Sequence, residues 1–112
     1  MANTFKSDTK ANVVTALITD NTAVVVTAGG SSTLVLLSVL LSNKVAASAD
    51  VDVYLESGGD DVYLLRNAPV PAGSSLEVIS GSKIIMEAND KLRIRAGTTN
   101  AIDATVSYLD QT

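Results

Sequence analysis

Apolar and polar residues alternate in short runs along much of this chain. In "DVDVYLE" the apolar positions are Val51, Val53 and Leu55, and the positions between them are Asp50, Asp52, Tyr54 and Glu56. A period of two is typical of a β-strand with one buried face. "KLRIRA", at Lys91–Ala96, repeats the pattern with basic residues on its polar face. Neighbouring strands would let the acidic and basic stripes pair, whereas separate strands would leave two solvated faces.

Such runs recur about every ten residues and end in Gly, Asn, Asp, Ser or Pro, which predicts an all-β fold. We expect an antiparallel β-sandwich or jelly-roll-like domain of about eight to nine strands over residues 11–112, preceded by a flexible N-terminal arm at residues 1–10. The predicted strands are Ala11–Thr19, Thr22–Thr27, Thr33–Ser42, Ala49–Glu56, Val62–Asn67, Leu76–Ser80, Lys83–Glu87, Lys91–Ala96 and Ala101–Leu109.

Glycine and small polar residues mark the predicted turns between these strands. They occur in "AGGSS" (28–32), "SGGDD" (57–61), "SGS" (80–82), "AND" (88–90) and "GTTN" (97–100). Glycine permits positive φ, and the polar side chains can hydrogen-bond the local backbone. We interpret "AGGSS" as a turn and not a phosphate loop, because the lysine and helix of such a loop are missing.

The run "TLVLLSVLLSN", Thr33–Asn43, differs from the others because both of its faces are apolar. Strict alternation would place Leu34, Leu36 and Leu40 on one face, and Val35, Leu37, Val39 and Leu41 on the other. A strand that is apolar on both faces is buried on both. The second face therefore predicts an oligomer interface at Val35, Leu37, Val39 and Leu41, with burial under the N-terminal strands as the alternative.

Composition narrows the classes of function. The chain of 112 residues fits one domain, has a formal net charge of −4 and contains no continuous basic run, which disfavours a nucleic-acid partner. A membrane-spanning helix needs roughly 20 apolar residues, about twice the apolar run in Thr33–Asn43, so we expect no membrane partner. The N-terminus lacks the apolar core of a secretory signal, which predicts synthesis and retention in a cytoplasm.

The residues that most enzymes need are scarce. The chain has no His, Cys or Trp, so we expect no enzyme activity, no cofactor and no metal site. Asp60 and Asp61 follow two glycines, but a calcium-binding loop does not surround them. Asp50 and Asp52 lie on one strand face and are interpreted as solvated charges. The three tyrosines, Tyr54, Tyr63 and Tyr108, would form a sugar platform only if they clustered.

Somewhat under half of the chain resembles small virion structural proteins of tailed, marine cyanophage-like bacteriophages. The similar stretches are "VYLLRNAPVPAGSSLEVISGSKIIMEANDKLRIRA", Val62–Ala96, and "AIDATVSYLD", Ala101–Asp110. The matching features are Arg66-Asn67, the connection through Pro69, Pro71, Ala72 and Gly73, then Leu76, Glu87-Ala88, Asp90, Leu92 and Ser107-Tyr108-Leu109. Independently of the resemblance, the two prolines predict an extended crossover outside a central ladder.

The resemblance implies a non-enzymatic β-sandwich in the virion, with a capsid decoration or cement protein as the leading expectation. It would form a homo-oligomer, with a trimer favoured, and would bind the major capsid protein or another virion protein. The N-terminal arm, with Asn3, Thr4, Phe5 and Lys6, would then attach to a neighbouring subunit. A neck, tail, baseplate or fibre-attachment protein is the first alternative, and a carbohydrate-binding host-recognition module is the second.

Overall fold

The computed structural model describes residues 3–15, 23–79 and 83–112, and these residues form nine β-strands and no α-helix. The predicted all-β fold is confirmed, with two antiparallel sheets packed face to face as a β-sandwich. The strands are β1 (Asn3–Lys10), β2 (Val24–Thr27), β3 (Thr33–Asn43), β4 (Ala49–Ser57), β5 (Asp60–Val70), β6 (Ser75–Glu77), β7 (Ile84–Met86), β8 (Lys91–Ala96) and β9 (Ile102–Gln111).

The strands divide into two sheets. Sheet A has the order β1-β9-β3-β6, and β7 pairs with another part of β3. Sheet B has the order β2-β8-β4-β5. Alternate residues of both sheets point into the space between them, including Leu36, Val53, Ile94 and Val106, all fully buried. We call the side of each sheet that faces away from the other sheet its outer face.

A β-bulge in β3 corrects the face assignment made for its apolar run. The pairing of β3 with β9 shifts between Leu36 and Ser38, so one extra residue, Leu37, interrupts the alternation. Leu34 and Leu36 point inward before the bulge, and Val39 and Leu41 point inward after it. The assignment of Val39 and Leu41 to the second face was therefore wrong, because strict alternation does not hold across a bulge.

The N-terminal residues correct a second prediction. Asn3–Lys10 was expected to be a flexible arm, but it forms β1 and pairs antiparallel with β9 over all eight of its residues. Its side chains are mostly exposed, so the main-chain ladder holds it at the sheet edge. Side chains add to the ladder: Lys6 Nζ lies 3.0 Å from Asp110 Oδ2, and the Tyr108 hydroxyl donates to Asp8 Oδ2 at 3.0 Å.

The chain leaves β1 without forming the strand predicted from Ala11. Residues 11–15 are not a strand, and the remainder of that prediction, with Thr22, lies outside the described residues. Val13 is buried and donates its backbone N–H to the Ile102 carbonyl at 2.7 Å. The Ala96 N–H bonds the Val14 carbonyl at 2.9 Å. The segment after β1 is therefore hydrogen-bonded to both sheets, to the end of β8 in sheet B and to the start of β9 in sheet A.

The turn chemistry agrees with the sequence at several points. Ser32 N–H bonds Gly29 O within "AGGSS", and Gly58 and Gly59 have positive φ between β4 and β5. Asp90 accepts the Glu87 N–H through its side chain at 3.0 Å. The turn predicted at 80–82 lies outside the described residues.

The proline segment is the crossover that the sequence predicts. Pro69 lies near the end of β5, an edge strand of sheet B, and the chain resumes as β6 in sheet A. Gly73, with φ of 67°, makes the turn between them.

Candidate interaction surface

Four apolar side chains lie side by side across the outer face of sheet A. Phe5 of β1 is opposite Leu109 of β9, Leu109 is opposite Val35 of β3, and Val35 is opposite Ile85 of β7. Residues directly opposite in an antiparallel ladder share a face and contact each other. We call Phe5, Leu109, Val35 and Ile85 the apolar row.

The ends of the apolar row are the most open. Phe5 is 77% exposed and Ile85 is 51% exposed, while Val35 and Leu109 in the middle are half-buried. Leu40 lies on the same face further along β3, opposite Thr105, and the bulge residue Leu37 is also half-buried. A contiguous apolar area that crosses four strands is characteristic of a surface that becomes buried on association.

The rest of this face is polar but carries little charge. Its other strand residues are Asn3, Ser7, Thr9, Thr33, Ser38, Ser42, Ser75, Thr105, Ser107 and Gln111. Among the described strand residues of the face, only Asp103 and Glu77 are ionisable. A face with few charges avoids the largest hydration cost of burial, which is that of ionised groups.

Both carboxylates of the face already have protein partners. Asp103 Oδ1 lies 2.8 Å from Lys44 Nζ and accepts the Asn12 backbone N–H at 2.9 Å. The bond from Lys44, followed by the bond from Asn12, lowers the pKa of Asp103 below its ordinary value. Asp103 is therefore charged and held at one end of the face, away from the apolar row.

The second carboxylate, Glu77, fills a gap in the ladder. β6 pairs with Leu40–Ser42 and β7 with Leu34–Leu36, so the bulged part of β3 lies between them. Glu77 Oε2 accepts the Val39 N–H at 2.9 Å and the Ile79 N–H at 3.1 Å, and its Oε1 accepts the Ser38 hydroxyl. The side chain thus satisfies backbone donors that a continuous strand would otherwise satisfy.

The outer face of sheet B is charged, and its acidic and basic side chains pair with one another. Asp52 of β4 lies 3.0 Å from Arg95 of β8, and Glu56 lies 2.6 Å from Arg93 and 3.9 Å from Lys91. Asp52 also accepts the Asn67 N–H at 2.7 Å. The acidic and basic stripes of the sequence are therefore neighbours and pair across the ladder, and they are not two separate solvated faces.

The tyrosines do not form one platform. Tyr54 and Tyr63 pack with their ring centres 5.2 Å apart on sheet B, and the Arg66 guanidinium lies 5.3 Å from the Tyr63 ring centre. Tyr54 is fully buried, and this burial raises its pKa. Tyr108 belongs to sheet A, where burial, together with the bond to Asp8, raises its pKa to about 12. In this cluster the partly exposed ring is Tyr63, and Arg66 lies over it.

The sequence-predicted site residues separate in the structure. Val35 lies in the apolar row and Leu37 at the bulge, whereas Val39 and Leu41 are in the core. The interface hypothesis stays a prediction for Val35 and Leu37. On the outer face of sheet A it extends to Phe5, Leu109 and Ile85, which lie on other strands.

The residues predicted to form an attachment arm all lie in β1. Phe5 points to the outer face, Lys6 pairs with Asp110, and Asn3 and Thr4 pair with Gln111 and Asp110 in the ladder. Their attachment role stays a prediction. Sequence reasoning missed Leu109 and Ile85, because their place beside Val35 depends on strand order.

The described residues show no other chemical constellation. Residues 3–15, 23–79 and 83–112 contain no group of His, Cys, Asp or Glu side chains arranged to hold a metal ion, and they enclose no ligand-sized pocket. Asp60 and Asp61 lie at the start of β5 after the glycine turn. In the described part of the chain no helix has the length and apolar character to span a membrane.

Comparison of the chain with protein-family models, with curated proteins and with solved structures found no match.

Proposed function

We propose that this chain is a non-enzymatic structural protein of a bacteriophage virion, a capsid decoration or cement protein that acts by binding surfaces together. In this proposal the outer face of sheet A is buried against sister chains when the protein assembles on the shell. The major capsid protein is then the second partner, and assembly, not chemistry, is the function.

The observation that carries the proposal is the apolar row on a face of low charge. An exposed Phe5 and Ile85 cost free energy in water, which burial against another protein recovers at about 25 cal/mol per Å². The two carboxylates of the face are already bonded within the chain, so association leaves no unpaired charge behind.

The resemblance of Val62–Ala96 and Ala101–Asp110 to virion proteins supports the biological setting. Those stretches include β7 and all but the last residue of β9, which contribute Ile85 and Leu109 to the apolar row. The rigid proline crossover between the two sheets suits a protein with a structural role.

Cryo-electron microscopy of purified particles, combined with quantitative proteomics, tests the location. Density for the sandwich on the shell, with a copy number that scales with the number of capsid proteins, is expected. A copy number that matches a single ring would instead favour the neck, tail or baseplate. Absence from the particle would refute the proposal.

A matched pair of variants tests the surface. Ile85→Asp places a charge in the apolar row, and Val62→Asp places one at an equally exposed apolar position of sheet B, since Val62 is 52% exposed. We expect Ile85→Asp to reduce incorporation into particles and Val62→Asp to leave it near the parent level. Equal incorporation of the two variants would contradict burial of the outer face of sheet A.

A further inference from the structure

The sheet edges in the described part of the chain differ in how open they are to another strand. On sheet A, β6 and β7 have three residues each. On sheet B, β2 has four residues and a register shift, and β5 has two register shifts, Asn67 with positive φ and Pro69. Short strands, bulges and prolines are features that protect an edge from pairing.

β1 has none of these three features, and its charged residues, Lys6, Asp8 and Lys10, are of both signs. It runs for eight residues in unbroken register with β9, and it contains neither proline nor glycine. One side of its backbone is bonded to β9, and no strand of the described residues pairs with the other side, whose outward N–H and C=O groups lie at the edge of sheet A. A regular edge of this length is a template for a further strand.

We propose that β1 pairs antiparallel with β1 of a second copy of this chain, about a two-fold axis that passes between the two Ser7 residues. The two sheets A then continue into one another, with both outer faces on the same side. For the outer faces to be continuous, each residue of β1 must lie opposite a residue of the same face in the second copy. One residue of β1 must therefore lie opposite its own copy, and we call this residue the centre of the register.

The charges of β1 select Ser7 among these centres. A centre at Ser7 places Lys6 of each copy opposite Asp8 of the other, and Phe5 opposite Thr9. Two opposite-charge pairs result, each a stabilising cross-strand contact.

The neighbouring centres are unfavourable. A centre at Lys6 places the two Lys6 side chains opposite each other, and a centre at Asp8 does the same with the two Asp8 carboxylates. Like charges directly opposite destabilise a ladder. A centre at Phe5 or Thr9 leaves much of β1 unpaired, because the strand ends at Asn3 and Lys10.

The charged side chains are already ordered within one chain. Lys6 is held by Asp110, and Asp8 accepts from Tyr108. Pairing therefore immobilises few additional rotamers, and preorganisation of this kind lowers the entropic cost of association. The contact uses the strand edge, so it is separate from the outer face and does not depend on the proposed function.

Cysteine cross-linking tests the register directly, because the chain has no cysteine of its own. Ser7→Cys places two thiols opposite each other at the two-fold axis, where Cα atoms of an antiparallel pair are about 4.5–5.5 Å apart, within disulfide range. Thr9→Cys is the matched control on the same strand and face. Its two copies would be four residue spacings apart, or roughly 14 Å.

At about 10 μM protein under mild oxidation, we expect Ser7→Cys to form covalent dimers roughly a hundredfold faster than Thr9→Cys, since groups within a complex meet at millimolar effective concentration. A mixture of Phe5→Cys and Thr9→Cys is expected to give the heterodimer. Equal rates for Ser7→Cys and Thr9→Cys, or no dimer from Ser7→Cys, would overturn the proposal.

Three further variants in the Ser7→Cys background separate the contribution of charge from that of the outer face. Asp8→Lys places like charges opposite each other and should slow cross-linking more than Asp8→Asn, which retains an oxygen that can accept from Tyr108. Equal effects would contradict the argument that charge pairing selects the Ser7 register. Ile85→Asp should leave the cross-linking rate unchanged, so that failure of the edge contact and failure of the outer-face interface give different results.

Discussion

The two outer faces of this sandwich are built from the same alternating strand pattern, but their side chains differ in pairing and in exposure to solvent. On sheet B, Asp52 and Glu56 pair with arginines of the neighbouring strand, and the Arg93 side chain is only 4% exposed. On sheet A, the apolar row crosses four strands, with Phe5 and Ile85 open to solvent. On the charged face Asp52, Glu56 and the two arginines satisfy one another, whereas the weakly charged face leaves apolar surface exposed.

The difference shows that charge on a face does not by itself identify it as the solvent or binding side. Paired charges on adjacent strands form a closed layer that gains little from a further partner. Apolar side chains that lie side by side on an otherwise polar face gain from burial, and their carboxylate neighbours keep their partners within the chain.

The largest expected effect separates the inner and outer faces of β3 itself. Val39→Asp places a carboxylate in the core at a fully buried position and should lower the free energy of unfolding by about 4 kcal/mol or more. Leu40→Asp, the next residue, points to the outer face and should cost much less. Chemical denaturation of both variants checks the bulge, and equal losses would contradict the bulged register of β3.

A smaller loss is expected from breaking the charged layer of sheet B. Glu56→Ala removes the acceptor of two Arg93 donors, at 3.0 and 2.6 Å, and should lower the free energy of unfolding by about 2–3 kcal/mol. Asp60→Ala, an exposed acidic residue of β5, serves as the control and should stay within about 0.5 kcal/mol of the parent. If Glu56→Ala lowers the free energy of unfolding no more than the control does, the bonds between Arg93 and Glu56 do not stabilise sheet B.

On the outer face of sheet A, the corresponding carboxylate to remove is Glu77. Glu77→Ala leaves the N–H groups of Val39 and Ile79 without this acceptor and should cost about 2 kcal/mol. Glu77→Gln retains one acceptor oxygen and should cost less. Thermal unfolding of the two variants measures the difference, and the reverse order would show that Glu77 does not stabilise the bulge.

The smallest effect concerns Asp103, at the exposed end of the same face. Its folded pKa is lowered, so its contribution is present above the unfolded pKa of about 3.8 and is lost as the pH falls through the folded value. Asp103→Asn should therefore be slightly less stable than the parent at neutral pH, and the two should converge in acid. A difference that persists well below pH 3.8 would assign the effect to something other than the charge held by Lys44.

The sequence predicted the parts of the fold that depend on local pattern. β8 begins and ends as predicted, and the Asp90 turn and the proline crossover also agree, because each depends on residues close together in the chain. The inner-face residues of β4 follow from alternation alone.

The parts that it missed depend on contacts between distant residues. β1 has no apolar face and is held by main-chain pairing with β9, so its polar sequence resembles a free arm. The bulge in β3 is bonded by Glu77, a residue far along the chain, and no pattern within Thr33–Asn43 reveals it. The apolar row likewise requires the strand order, which brings Ile85 and Leu109 beside Val35.

Burial of the outer face of sheet A through association is tested most directly by the mass of the protein in solution. Light scattering at matched concentrations should give the parent and Val62→Asp a mass of more than one chain, and Ile85→Asp a smaller mass than either. A parent mass equal to one chain, or equal masses for Ile85→Asp and Val62→Asp, would contradict burial of this face between copies of the chain.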